Sequence, residues 1–203
     1  MMCLMNTHYR PHNLPLTTQA AEGLARRLWS VAEVEALVAA GILLEDERFE
    51  LIGGEIVPMS PKGNRHELLK TALVLYWATR LPPDIRFTPE TTFRLDVSSF
   101  LEPDFVFYRK SSGLVNLKPE TALLVVEIAD SSLGYDLGKK AKFYAGFGIR
   151  ELWVINAVKL ETHVHQGVTA EGYRDKRVIL PDEMLACDLF EDLAVRLGTL
   201  ELV

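Results

Sequence analysis

The stretch that most constrains the fold is TALLVVEI, residues 121 to 128, an apolar run interrupted only by Glu127 near its end. Its length, its adjacent Val125 and Val126 and its lack of alternation suit a strand buried on both faces. A carboxylate at the end of such a strand is unfavourable if dry and alone, so Glu127 must be solvated, paired or bound to a cation. The upstream segment LEPDFVFY has the same character: Pro103 is tolerated at a strand start, and Asp104 sits at the edge of the apolar part. Two carboxylates set into apolar strands ask for a partner.

Around this stretch the chain reads as one mixed sheet with helices. SVAE places Ser30 as an N-cap and Glu33 at the third helical position, a capping box that opens a short helix ending at Gly41. RFELIGGEIVPMS is a hairpin turned by Gly53 and Gly54. HELLKTALVLYWATRL carries Leu68, Leu69, Ala72, Leu73, Leu75, Tyr76 and Ala78 at spacings that predict a largely buried helix. Strands are expected near residues 85–88, 92–96, 104–108 and 122–128, followed by a helix capped by Asp136 and stopped by Gly148, then the strand ELWVIN. KLETHVHQ pairs with GYRDKRVIL, and the last stretch adds a short strand or helix. This order predicts an α/β core with α+β additions: a mixed central sheet flanked by helices, with extra β-hairpins. Residues 1–27 carry little periodicity and are expected to be an extension of uncertain order, leaving a single domain at 28–203.

Composition narrows the class. The 203 residues are 48% hydrophobic and 25% charged, which is globular. No apolar run reaches the length of a membrane span, and the N-terminus lacks the pattern of a secretory signal. Cys3 and Cys187 form at most one bridge and give no zinc spacing, which fits a reducing cytoplasm. The net charge of −6 counts against a protein that coats nucleic acid generally. It leaves room for a nuclease whose positive field is local and partly supplied by a bound cation.

Asp104 and Glu127 lie on successive strands, so they can be neighbours in space. Lys140, four residues after Asp136, can lean back from the following helix toward the strand ends. Such a set suits metal-assisted phosphodiester cleavage: carboxylates fix Mg²⁺ or Mn²⁺, the cation polarises the phosphate and acidifies water, and a lysine orients that water or stabilises developing charge.

The order of motifs carries a resemblance. FELIGGEIVPMSP with His66 behind it, then EPD, then VVEIADSSLGYDLGKKAKFYAGFGIRELWVIN resembles the Uma-type family of bacterial restriction endonucleases, within the PD-(D/E)XK nuclease superfamily. The likeness runs from about Trp29 to the C-terminus. It implies a restriction-endonuclease-like fold, metal ligation by Asp104 and Glu127, Lys140 as the catalytic lysine, and products with 5′-phosphate and 3′-hydroxyl ends. In the superfamily the lysine normally follows the acid by two residues, a place held here by Ala129, so the resemblance implies a lysine moved onto the next helix. It further implies Glu50 as an additional acidic group and His66 as a water or phosphate contact. DNA is the implied substrate. A homodimer is expected from the open strand edges of the tail and the need to reach two strands of a duplex.

Each residue has a plainer reading. Asp104 would serve as a strand-start residue bonded to a turn, Asp136 as a helix cap, Lys140 as a solvated helix lysine, and Glu50 and Glu55 as the polar face of a hairpin. His163 and His165 alternate on one strand face without an evident third ligand. Lys139, Lys140 and Lys142 with Arg109, Lys110 and Arg150 form either a phosphate-binding patch or a solvated face, and Phe143, Tyr144 and Phe147 are expected to pack the helix on the sheet. The competing function class is a non-catalytic nucleic-acid-binding or assembly module that keeps the nuclease fold.

Overall fold

The structure is a computed structural model in which residues 26–44 and 46–202 are described. Most of the expected N-terminal extension, and Cys3 with it, lies outside these residues. In chain order the elements are α1 (Val31–Ala39), β1 (Phe49–Ile52), β2 (Glu55–Pro58), α2 (Asn64–Ala78), β3 (Ile85–Pro89), β4 (Phe93–Asp96), β5 (Ser99–Leu101) and β6 (Phe105–Arg109). There follow β7 (Ala122–Ala129), α3 (Leu133–Tyr135), a π turn (Asp136–Lys140), α4 (Ala141–Gly146), β8 (Glu151–Asn156), β9 (Thr162–Thr169), β10 (Gly172–Ile179), β11 (Leu185–Cys187) and β12 (Phe190–Val195). The described residues divide into two compact units, one of those up to Ser60 together with Thr92–Glu102, the other of Pro61–Thr91 together with those from Pro103 on.

The first unit is a four-stranded sheet in the order β2-β1-β5-β4 with α1. The capping box forms as the sequence predicts, with Ser30 Oγ accepting from the Glu33 amide and the Glu33 carboxylate accepting from the Ser30 amide. Gly41 at φ 69° closes the helix through Gly41 N–H to Val38 O and Ile42 N–H to Leu37 O, a Schellman ending. Gly53 and Gly54 both take positive φ, 58° and 86°, as a primed hairpin turn requires. The strand near residues 92–96 belongs to this sheet because it pairs with β5, a three-residue strand too short to show a pattern in sequence. Val31, Val34, Phe49, Leu51 and Phe100 form the core of the unit.

The second unit is built on a six-stranded mixed sheet in the order β10-β9-β8-β7-β6-β3. β7 and β8 pair in parallel, joined by the α3–π–α4 segment, and the remaining described pairs are antiparallel. The apolar run TALLVVEI is therefore a central strand, with Val125, Val126 and Leu124 fully buried. One face packs α2 through Leu69, Leu73 and Trp77 against Phe105, Phe107, Leu124, Val126 and Trp153. Trp77 stands edge-on to Phe105 and Phe107, each 5.1 Å away by ring centroids, a favoured aromatic geometry. The β11–β12 hairpin adds Leu185, Cys187, Leu193 and Val195 to the same core.

Two expectations change. α2 is not largely buried: His66, Leu69, Leu73 and Trp77 form a single stripe, while Leu75 is 67% exposed, because the helix covers the sheet with one face only. Asp136 is not the N-cap of this helical segment. The helix starts three residues earlier at Leu133, and Asp136 opens a π turn within it, with Ser132 Oγ donating to Asp136 Oδ2 at 2.5 Å. Gly148 does end the segment, at φ 78°. Among the described residues no helix is long and apolar enough to cross a membrane.

Candidate functional site

β6 runs antiparallel to β7 with Phe105 opposite Val126. Continued by one residue, that register sets Asp104 beside Glu127 at the end where β6 begins and β7 finishes. Ile128 N–H donates to Asp104 Oδ2 at 2.7 Å and ties the two strand ends together through the carboxylate itself. Asp104 is 3% exposed and Glu127 5% exposed, so both acids depend on protein partners for their charge.

Glu127 meets the helix that follows it. Lys140 Nζ lies 2.9 Å from Glu127 Oε1, and the Tyr144 hydroxyl donates to the same oxygen at 2.5 Å. Lys140 and Tyr144 are one turn apart across the junction of the π turn and α4, so a single helix face delivers both. The π turn explains how a lysine thirteen positions after the acid reaches back: it inserts a residue into the helical spiral and rotates Lys140 onto the sheet, where it is 6% exposed.

Asp104 meets the start of α2 and the loop before it. Lys62 Nζ lies 2.8 Å and His66 Nε2 2.9 Å from Asp104 Oδ1. Burial alone would raise the Asp104 pKa, but the His66 and Lys62 contacts outweigh it and hold the carboxyl at about 2. Lys62 also contacts Glu90 Oε1 at 2.5 Å, and the same carboxylate engages Lys70 at 3.1 Å. Gly63, between Lys62 and α2, faces the residue after β7: an added Cβ would come within 2.6 Å of Asp130 Oδ2, the end of a side chain that can turn aside.

Thus Lys140 comes to Glu127 and His66 to Asp104. Glu50 is a buried residue of β1 in the first unit, where its carboxylate accepts from Glu102 N–H at 3.1 Å. Within the basic stretch, Lys139, Lys142 and Arg150 are exposed while Lys140 is withdrawn from them into the sheet, and Arg109 pairs with Asp84 at 2.6 Å. His165 is buried against Tyr173, with ring centroids 5.6 Å apart, and His163 is half-buried. Phe143 and Phe147 contact each other at 5.0 Å as packing residues, whereas Tyr144 adds a polar contact that the sequence reading did not assign. Lys62 and Glu90 were also missed. Lys62 stands in an irregular loop, where no periodicity marks a face, and the turn placing Glu90 at φ 46° leaves no local signature.

The donor set fits a hard divalent cation. Among the described residues no three His, Cys, Asp or Glu side chains gather into a ready cage. Mg²⁺ does not require one, since it is commonly held by one or two carboxylates while keeping waters and substrate oxygens. A carboxylate has about four acceptor positions. In Asp104, Lys62 and His66 take Oδ1 and Ile128 N–H takes one position of Oδ2, which leaves the other open among the described contacts.

The Uma2 family, described as "Putative restriction endonuclease", matches residues 32–198. Among solved structures, the chain is similar to "a putative nuclease belonging to DUF820" from Anabaena variabilis. The two are 16% identical over 79% of this chain and 93% of that one, with a TM-score of 0.63, a likeness of fold. Among curated proteins none matches.

Proposed function

The chain belongs to the Uma2 family, and we propose that it is a divalent-metal-dependent endonuclease that hydrolyses phosphodiester bonds of DNA. The observation that carries this reading is the register that sets two buried acidic residues opposite each other at adjoining strand ends, with Lys140 Nζ 2.9 Å from one of them. Such a group is unfavourable as mere architecture and suited to phosphoryl chemistry.

In this reading Asp104 and Glu127 hold Mg²⁺ or Mn²⁺, which when bound supplies positive charge at the scissile phosphate and acidifies water there. The chain's own residues do the positioning. Ile128 N–H and His66 hold the two oxygens of the Asp104 carboxylate, and the Tyr144 hydroxyl holds Glu127. Lys140 orients the attacking water and stabilises charge that builds on the phosphate oxygens. Water attacks phosphorus in line; its oxygen joins the phosphorus, the P–O3′ bond breaks, and a proton passes to the departing O3′, leaving 5′-phosphate and 3′-hydroxyl ends. Glu50 enters as a further acidic group through the family resemblance, and Glu50→Gln tests it.

The test is cleavage of plasmid and single-stranded DNA with Mg²⁺ or Mn²⁺. Wild type cuts, and Glu127→Ala and Lys140→Ala do not; equal cutting by all three removes these residues from the mechanism. Failure of Mn²⁺ to bind favours the non-catalytic module instead. A cytoplasmic homodimer completes the proposal, resting on the sparse cysteine usage of the sequence and the need to reach two strands. Light scattering that gives a monomer at working concentration ends the dimer proposal.

A further inference from the structure

Around Asp104 the second unit closes a ring of six side chains in which acids and bases alternate. Lys62 links Asp104 (2.8 Å) to Glu90 (2.5 Å). Lys70 links Glu90 (3.1 Å) to Glu67 (2.8 Å). His66 links Glu67 (3.2 Å) back to Asp104 (2.9 Å). Three of the six come from the first two turns of α2, where Lys70 stands three residues after Glu67 and four after His66. Glu90 reaches the ring because its backbone is left-handed, φ 46°, which is uncommon for a residue with a Cβ. That conformation also lets Glu90 N–H donate to the Asp104 carbonyl at 3.3 Å.

Lys62 differs from the other bases. Its side chain is 11% exposed, and its ammonium holds two carboxylates at once. A divalent cation arriving at the open position of Asp104 Oδ2 meets a positive charge already bonded to the other oxygen of the same carboxylate, at a distance where like charges repel strongly in a partly dry site. The ammonium can release Asp104 without becoming unpaired, since Glu90 still accepts it.

We propose that Lys62 is a further residue of this site, a tethered ammonium that competes with the divalent cation for Asp104 and withdraws onto Glu90 when the cation binds. The inference rests on the metal-dependent reading above, and it concerns metal affinity, not the chemical step. Lys62 thereby keeps Asp104 neutralised and folded in the metal-free chain, and it sets how much free cation the site requires.

The experiment is isothermal titration of Mn²⁺ into the metal-stripped full chain, comparing wild type with Lys62→Met, Lys62→Gln, Lys62→Arg and Asp104→Asn, with thermal unfolding followed in parallel. Wild type binds Mn²⁺ and Asp104→Asn does not. Lys62→Met and Lys62→Gln bind about tenfold more tightly, the equivalent of removing one charge-assisted hydrogen bond as competitor, and Lys62→Arg stays near wild type. Without metal both neutral variants melt below wild type, and saturating Mn²⁺ raises their Tm by more than it raises that of wild type. Mn²⁺ binding that is lost at Asp104→Asn but unchanged or weaker at Lys62→Met and Lys62→Gln overturns this inference alone. Absence of Asp104-dependent binding in wild type overturns both the inference and the metal-dependent reading. Should one neutral variant not fold, the other and Lys62→Arg give the same comparison.

Discussion

Glu127 and Glu151 are two buried glutamates on adjacent parallel strands, 5% and 2% exposed, yet their surroundings are built on opposite lines. Glu127 is met by an ammonium and a phenol. Glu151 is met by neutral donors: Trp153 Nε1 at 2.7 Å, Cys187 Sγ at 3.3 Å and Asp188 N–H at 3.3 Å. Its charge is felt nearby, because burial first and Glu151 second push the Cys187 thiol and the Tyr173 phenol well above their usual pKa range. Fixed neutral dipoles cannot be exchanged for a metal or a phosphate, so Glu151 reads as a cross-link that pins the β11–β12 hairpin to β8. An ammonium on a flexible stem can be exchanged. The lesson is that burial of a carboxylate does not by itself indicate chemistry; the nature of its partners does.

Paired substitutions separate the two glutamates most sharply. Glu127→Gln is expected to lower the cleavage rate by about 10²-fold or more, as removal of a charge-stabilising group does. Glu151→Gln leaves cleavage per folded molecule unchanged but lowers stability by about 1–3 kcal/mol, because its amide nitrogen faces other donors. Rates normalised to folded fraction, with denaturant unfolding of both variants, decide it. Loss of cleavage without loss of stability at Glu151 would collapse the distinction.

Lys140→Met leaves Glu127 buried without its ammonium and is expected to destabilise the metal-free chain by about 3 kcal/mol. Urea unfolding with and without Mn²⁺ measures this, and recovery by the metal marks the partner as exchangeable. No such recovery is expected for Glu151→Gln.

The Glu151 side also carries a pH signature. Burial, then the charges of Lys176 and His163, push the His165 pKa from 6.5 down to about 4. Above 6.5 the ring is neutral folded and unfolded, and the full stability is present. As pH falls from 6.5 toward 4 the unfolded chain takes up a proton that the folded chain refuses, so stability declines, by at most about 1.4 kcal/mol per pH unit. His165→Gln should flatten that slope in unfolding free energies measured across the window; an unchanged slope assigns it elsewhere. The smallest effect is at Tyr144→Phe, a loss of about 1 kcal/mol in stability with a modest fall in cleavage, the value of one hydrogen bond to a group that keeps its ammonium.

Much of the candidate site was legible because acids in apolar strands stand out. Asp104 and Glu127 break runs that are otherwise hydrophobic, and the family's motif order carried Lys140 and His66. The contacts of Lys62 with Asp104 and of Tyr144 with Glu127 were not legible. Lys62 is 42 positions from Asp104 and Tyr144 is 17 from Glu127, separations at which no local spacing is preserved. Asp136 was misread for a related reason: a π turn has no sequence signature of its own, and an acid after Ser and Gly looks like a cap.

By itself the sequence determined the local elements: the capping box at Ser30, the Gly53–Gly54 hairpin, the buried β7 and the acids within the strands, each written in residues a few positions apart. The tertiary structure alone decided the partners: an ammonium for Glu127, a lysine and a histidine for Asp104, and neutral dipoles for Glu151. The physical reason is that backbone propensity and hydrophobic period act along the chain, whereas the neutralisation of a buried charge is settled through space by whichever donors packing brings within about 3 Å.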